Sequence, residues 1–139
     1  MKARLFYRIA SVLLLLFMVG HTIGFRQTDP QWGVDSLIGI MHSIRFDVQG
    51  FNRTYWDFFV GFGLFVSVFL VFLAVFTWQL SGLPAETLAL MRGPAWALAG
   101  CSLAVTILSW RYFFVAPIVL STMITVCLIV AAWLSAKPR

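Results

Sequence analysis

"WDFFVGFGLFVSVFLVFLAVFTWQL", Trp56 to Leu80, carries a single charged residue, Asp57, at its entrance. A helix needs roughly 20 mainly apolar residues to cross a ~30 Å hydrocarbon core, and in lipid it satisfies its own backbone polar groups. This stretch therefore predicts a membrane-spanning helix over 56–80, stopped by Gly82 and Pro84 of "SGLP". Within it Phe58, Phe62, Phe65, Phe69, Phe72 and Phe76 recur at alternating spacings of four and three, which keeps them on one stripe. Gly63, Ser67 and Ala74 fall on nearly the opposite side, where small residues let neighbouring backbones approach. The Phe stripe is then left for lipid, a second subunit or an apolar ligand.

Three further windows have the same character, at about 6–25, 88–109 and 113–135. Across the 139 residues, 61% are hydrophobic and 11% charged, with a mean hydropathy of +0.93. So small a soluble body has too little interior for that apolar surface. The expected fold is all-α: one integral membrane domain over 1–139, a polytopic four-transmembrane-helix bundle whose outer loop is 26–55. The first window has the basic start of a signal peptide, but no small-x-small cleavage site follows, so a retained helix is expected. Small residues on its side, Gly20 and Gly24, and Ala97, Gly100 and Ala104 in the third window, are expected to face the bundle interior. Pro94 fits a first helical turn, which moves the start of the third helix toward Gly93.

Lys and Arg positions set the orientation. With the N-terminus inside, Lys2, Arg4, Arg8, Arg92, Lys137 and Arg139 are cytoplasmic, against Arg26, Arg45, Arg53 and Arg111 outside. Both termini are therefore expected in the cytoplasm, with the protein in the plasma (inner) membrane. The basic residues are split among short flanks rather than gathered in a patch, which argues against nucleic acid as a partner. The expected partners are the lipid bilayer and a partner membrane protein or a homo-oligomer.

Candidate chemistry gathers at the outer end. His21 is an ionisable residue within an apolar helix, and such residues mark functional sites by default; the bland alternative is a hydrogen bond across the bundle. If the second helix starts by Asn52, Arg53 and Asp57 sit four apart and lean toward the small-residue side. Those three are the catalytic candidates, the bland alternative for the pair being a headgroup-level salt bridge. In "GVDSLIGIMHSI", Val34, Leu37, Ile38, Met41 and Ile44 or Arg45 follow helical spacing, predicting a short amphipathic helix on the outer surface, with Asp35 as its cap. His42, Arg45, Tyr55 and Arg111, the last at the end of the third helix, are the ligand-binding candidates.

His21, His42, Asp57 and Asp47 together make a conceivable relay or metal set, and two lone histidines permit bis-His haem ligation in principle. No metal-binding spacing supports either, so the expected cofactor stays open. Cys101 and Cys127 read as small packing residues. No nucleophile elbow or phosphate loop is present, so acyl and phosphoryl transfer lack support.

A histidine in the first helix, "RTYWDFFVGFG" opening the second and "YFFVAP" entering the fourth together resemble small bacterial four-helix membrane proteins, DoxX-like in general layout. The resemblance covers the whole length as architecture, and it implies an accessory or redox-linked role without supplying a catalytic motif. Two functions are expected. One is a subunit or accessory factor that binds a lipid-soluble ligand or a partner. The other is a membrane-embedded enzyme using His21 and Asp57 for proton transfer on a quinone, isoprenoid or sterol-like substrate.

Overall fold

The computed structural model describes residues 2–135. Lys137 and Arg139, two of the charges expected in the cytoplasm, lie outside the described residues. The chain is mostly helical. In order it forms α1 (Lys2–Gly24), a 3-10 turn (Pro30–Trp32), α2 (Asp35–Ser43), β1 (Arg45–Val48), β2 (Phe51–Thr54), α3 (Tyr55–Gly82), α4 (Ala85–Leu90), α5 (Arg92–Tyr112) and α6 (Val115–Ser135). The helices α1, α3, α5 and α6 are long and apolar enough to cross a membrane. They support a multi-pass membrane protein.

Two boundaries follow from proline. A helix continuous through Pro94 would push the ring into the Leu90 carbonyl and lose one backbone bond. The chain instead breaks at Met91, and α5 restarts with Pro94 inside its first turn, its first bond running from the Ala95 amide to the Met91 carbonyl. The window expected to begin near residue 88 is thus two helices, α4 and α5. Pro117 occupies the matching position in the first turn of α6.

The segment between α1 and α3 holds more order than its sequence suggested. β1 and β2 pair antiparallel, with Arg45 opposite Thr54 and Asp47 opposite Asn52. Their two-residue turn puts Gln49 and Gly50 at φ 51° and 84°, the positive pair of a type I′ hairpin turn whose twist matches the strands. Gln-Gly is a weaker signal for this turn than Asn-Gly. That is why the hairpin is absent from the sequence expectation, which was wholly helical.

The chain packs as two compact units. One gathers the residues up to Phe17 with those from Leu70 onward; the other is Met18–Phe69. In the first unit the core is made of Tyr7, Ala10, Leu14, Ala74, Leu80, Ala95, Ala99, Ile124, Leu128 and Ala131. Hydroxyls stitch the helices together there. Ser11 donates to the Ala74 carbonyl at 2.7 Å, and the Thr125 hydroxyl meets Ser102 at 2.7 Å and Thr106 at 2.8 Å. The Arg8 guanidinium lies 5.4 Å from the centre of the Trp78 ring.

On α3 the small side behaves as expected: Ser67 and Ala74 are buried and Gly63 half-buried. The Phe stripe from Phe58 to Phe72 is exposed, whereas Phe76 is half-buried and stacks on Phe72. On α5 the expectation is reversed, because Ala97, Gly100 and Ala104 are exposed and the buried face is Ala95, Leu98, Ala99, Thr106 and Ser109. The two faces lie about half a turn apart at 100° per residue, and the buried one carries the hydroxyls that pair with α6. Gly20 and Gly24 are exposed too, and a Cβ on either would meet nothing within 4 Å.

Candidate functional site

At the entrance to α3, Thr54 and Asp57 hold each other. The Asp57 amide donates to the Thr54 hydroxyl at 3.1 Å, and the Thr54 amide donates to the Asp57 carboxylate at 2.8 Å. This reciprocal capping box satisfies two amides that a helix start leaves without partners. The helix therefore begins at Tyr55, and Arg53 belongs to β2. Arg53 and Asp57 are consequently not four apart on one helix face, and the inward lean expected of them does not occur. Both are exposed. The Arg53 guanidinium donates to the Asn52 carbonyl at 2.8 Å and lies over the Phe51 ring.

Asn52 joins the hairpin's charges. Its side-chain Oδ1 accepts from Arg45 at 3.0 Å, and its side-chain Nδ2 donates to Asp47 at 2.9 Å. Tyr55 packs its ring on Phe46, with centroids 4.9 Å apart. His42 stacks on Trp56 at 4.4 Å, which ties α2 to the first turn of α3. Asp35 is the first residue of α2 rather than its cap; Val34 holds the cap position, without a side-chain bond.

His21 lies in the last turn of α1. Its Nε2 is 2.9 Å from the Gly63 carbonyl oxygen, which can only accept. Nε2 therefore carries the proton, and in the neutral ring Nδ1 is left as an acceptor. The Thr22 hydroxyl donates to the Met18 carbonyl at 2.7 Å, so its oxygen is available to the Ser67 hydroxyl, 2.7 Å away. Phe25 stacks on His21 at 5.2 Å and fills the space that a Cβ at Gly63 would need. Gly63 leaves the room that the Phe25 ring takes beside α3.

These bonds fix the two proton-transfer candidates on different partners, His21 on Gly63 and Asp57 on Thr54. Gly63 follows Asp57 by six residues, about 9 Å along the helix axis. His21 and His42 are likewise engaged separately, and among the described residues no group of three His, Cys, Asp or Glu side chains could hold a metal ion. Arg111 belongs to the other unit, in the last turn of α5, where its charge suits the helix C-terminus and its guanidinium lies over Tyr112.

The first unit contains a cavity of about 40 Å³ that sequence reasoning did not find. Its walls include Leu14, Leu70, Ser102, Ser121, Ile124 and Leu128, with Cys101 also at its edge. These residues fall near the midpoints of α1, α3, α5 and α6. Its two serine hydroxyls are already engaged, Ser102 with Thr125 at 2.7 Å and Ser121 with the Ile118 carbonyl at 3.2 Å. A water needs two to four polar partners, and these walls offer almost none. The space suits hydrocarbon. Both cysteine thiols are free.

Compared with protein-family models, curated proteins and solved structures, the chain has no match in any of the three. Its class thus rests on its own features: a multi-pass, mostly helical membrane protein with a hairpin-bearing segment between its first two long helices.

Proposed function

We propose that the protein is a small accessory subunit of the plasma (inner) membrane, both termini cytoplasmic, which holds the end of the hydrocarbon chain of a lipid-soluble ligand between its helices. The observation that carries this reading is the cavity lined by Leu14, Leu70, Ser121, Ile124 and Leu128, at mid-helix and with its hydroxyls already bonded. At about 40 Å³ the cavity is well short of the roughly 300–1,000 Å³ of a site that encloses a whole ligand, so its apolar walls receive only the end of a hydrocarbon chain. The excess of Lys and Arg in the flanks assigned to the cytoplasm supports the orientation. In this reading His21 locks α1 to α3 rather than moving protons.

A prenyl quinone, a prenyl alcohol and a fatty acid share the required hydrocarbon chain and differ in the head group. Native mass spectrometry in gentle detergent, with each of the three added separately, tests the reading on wild type and on Ser121→Leu, which fills the cavity. We expect the wild type to retain at least one of them tenfold more than the variant, and the pattern among the three to name the head group. Equal adducts on both proteins, or none on either, would overturn the reading. The same spectra report any larger protein that stays bound.

A further inference from the structure

The α2 helix carries two apolar stripes where its sequence suggested one. Val34, Ile38 and Met41 are half-buried. Leu37, Ile40 and Ile44 are 55%, 52% and 47% exposed, about a quarter turn around the helix from the first set. Asp35, His42 and Ser43 occupy the remaining side, with Ser36 at the edge of the second stripe. A solvated helix of this kind needs one apolar stripe, which it spends on its own protein. The second has no use in water.

The level at which α2 is held identifies what covers that second stripe. Ser43 ends the helix two residues before Arg45, which pairs with Thr54, the cap of α3. His42 stacks on Trp56 in the first turn of α3. Both links pin α2 beside the start of a spanning helix. With 28 residues α3 is about 42 Å long, against a hydrocarbon core of ~30 Å, so its first turn reaches headgroup level. Tyr55 and Phe58, 58% and 42% exposed, begin the lipid-facing surface of α3 at that level. Trp32, 65% exposed, precedes α2, and indole rings favour the interface. Arg26, Arg45 and Arg53 are exposed on the same segment, where they suit phosphate headgroups.

From this continuity we infer that α2 is an interfacial anchor whose Leu37, Ile40 and Ile44 insert into the headgroup and acyl boundary of the bilayer. Helices with a polar face and buried apolar side chains lie in that plane with the apolar face about 5–10 Å deep. The anchor and the α1–α3 lock flank the entrance of α3 and keep its mouth at a fixed depth. The inference does not depend on the cavity or its ligand.

The test uses full-length protein in vesicles of phosphatidylcholine and phosphatidylglycerol, with Cys101 and Cys127 replaced by Ala. Single thiols are placed by Ile40→Cys, Leu37→Cys and, on the polar side, Asp35→Cys, and each is labelled with an environment-sensitive fluorophore. A nitroxide near the lipid headgroup should quench the labels at 37 and 40 at least threefold more than the one at 35, while aqueous iodide shows the reverse order. The pattern should not change with the protein-to-lipid ratio. Iodide reaching all three sites equally would overturn the inference. So would shielding at 37 and 40 that rises with protein density, which marks a second copy as the cover. Two independent apolar positions keep the result readable if one variant fails to fold.

Discussion

The two compact units hold their helices together by different chemistry. In the unit containing α5 and α6, helices meet through alanines and hydroxyls: Ala10, Ala95, Ala99 and Ala131 are essentially fully buried, and Ser11, Ser102, Thr106 and Thr125 bond across the seams. In the Met18–Phe69 unit rings run alongside the His21–Gly63 and Thr22–Ser67 bonds. His21, Phe25, Phe59, Trp56 and His42 form an unbroken series with centroids 4.4 to 5.9 Å apart. Lipid tails are as apolar as leucine, so close backbone approach and hydrogen bonds drive association within the hydrocarbon. Rings instead suit the interface, where one end is apolar and the other wet. The difference teaches that ring contacts suit a polarity gradient, whereas alanine and hydroxyl contacts suit hydrocarbon.

Substitutions can break that contrast, beginning with the largest expected effect. Ala99→Leu overpacks the buried face of α5 and should cost about 1–3 kcal/mol, whereas Ala97→Leu on the exposed face should change little; thermal unfolding in detergent reads both. Gly63→Ala drives a methyl into the Phe25 ring and should destabilise by roughly 1–2 kcal/mol. Gly61→Ala, where a Cβ meets nothing within 4 Å, is its control. Thr54→Val removes the cap of α3 and should cost about 1 kcal/mol, with faster amide exchange confined to the first turn of α3.

Thr77→Val has the opposite sign. The Thr77 side chain is 0% exposed and its hydroxyl has no hydrogen-bond partner among the described residues. Burying such a group unpaired costs about 1–3 kcal/mol, so the isosteric change should stabilise the protein by up to that amount, read as a raised Tm. Smallest is His21→Phe, which keeps the ring stack and deletes the bond to Gly63. An interhelical bond in a membrane averages about 0.6 kcal/mol, so a loss of that order is expected. A much larger loss would show that the ring series depends on this bond.

Much of the architecture was legible in the residues. The long apolar windows announce α1, α3 and α6, and the alternating four and three spacing separates the exposed Phe stripe of α3 from Ser67 and Ala74. The site was less legible. Gly20, Gly24, Ala97, Gly100 and Ala104 have the composition of packing faces, but small residues permit close approach without requiring it. The side chains that do meet across α5 and α6 include Ser102, Thr106 and Thr125, hydroxyls whose value depends on a partner from a distant part of the chain. Arg53 and Asp57 looked paired only while the start of α3 was unknown. Thr54 decides that start by capping, and β2 takes Arg53 out of the helix.

The sequence by itself determined that the chain is mostly helical, that four segments can cross a membrane, and that polar residues collect between the first two. Hydrophobic length and periodicity are local properties, and they dictate those results whatever the helices pack against. Tertiary structure alone decided that His21 bonds the Gly63 carbonyl, that a cavity lies between mid-helix residues of the other unit, and that Leu37, Ile40 and Ile44 are left uncovered. Each of these depends on which residues distant in the chain come within a few ångströms of one another. Such contacts leave no periodic trace in the chain.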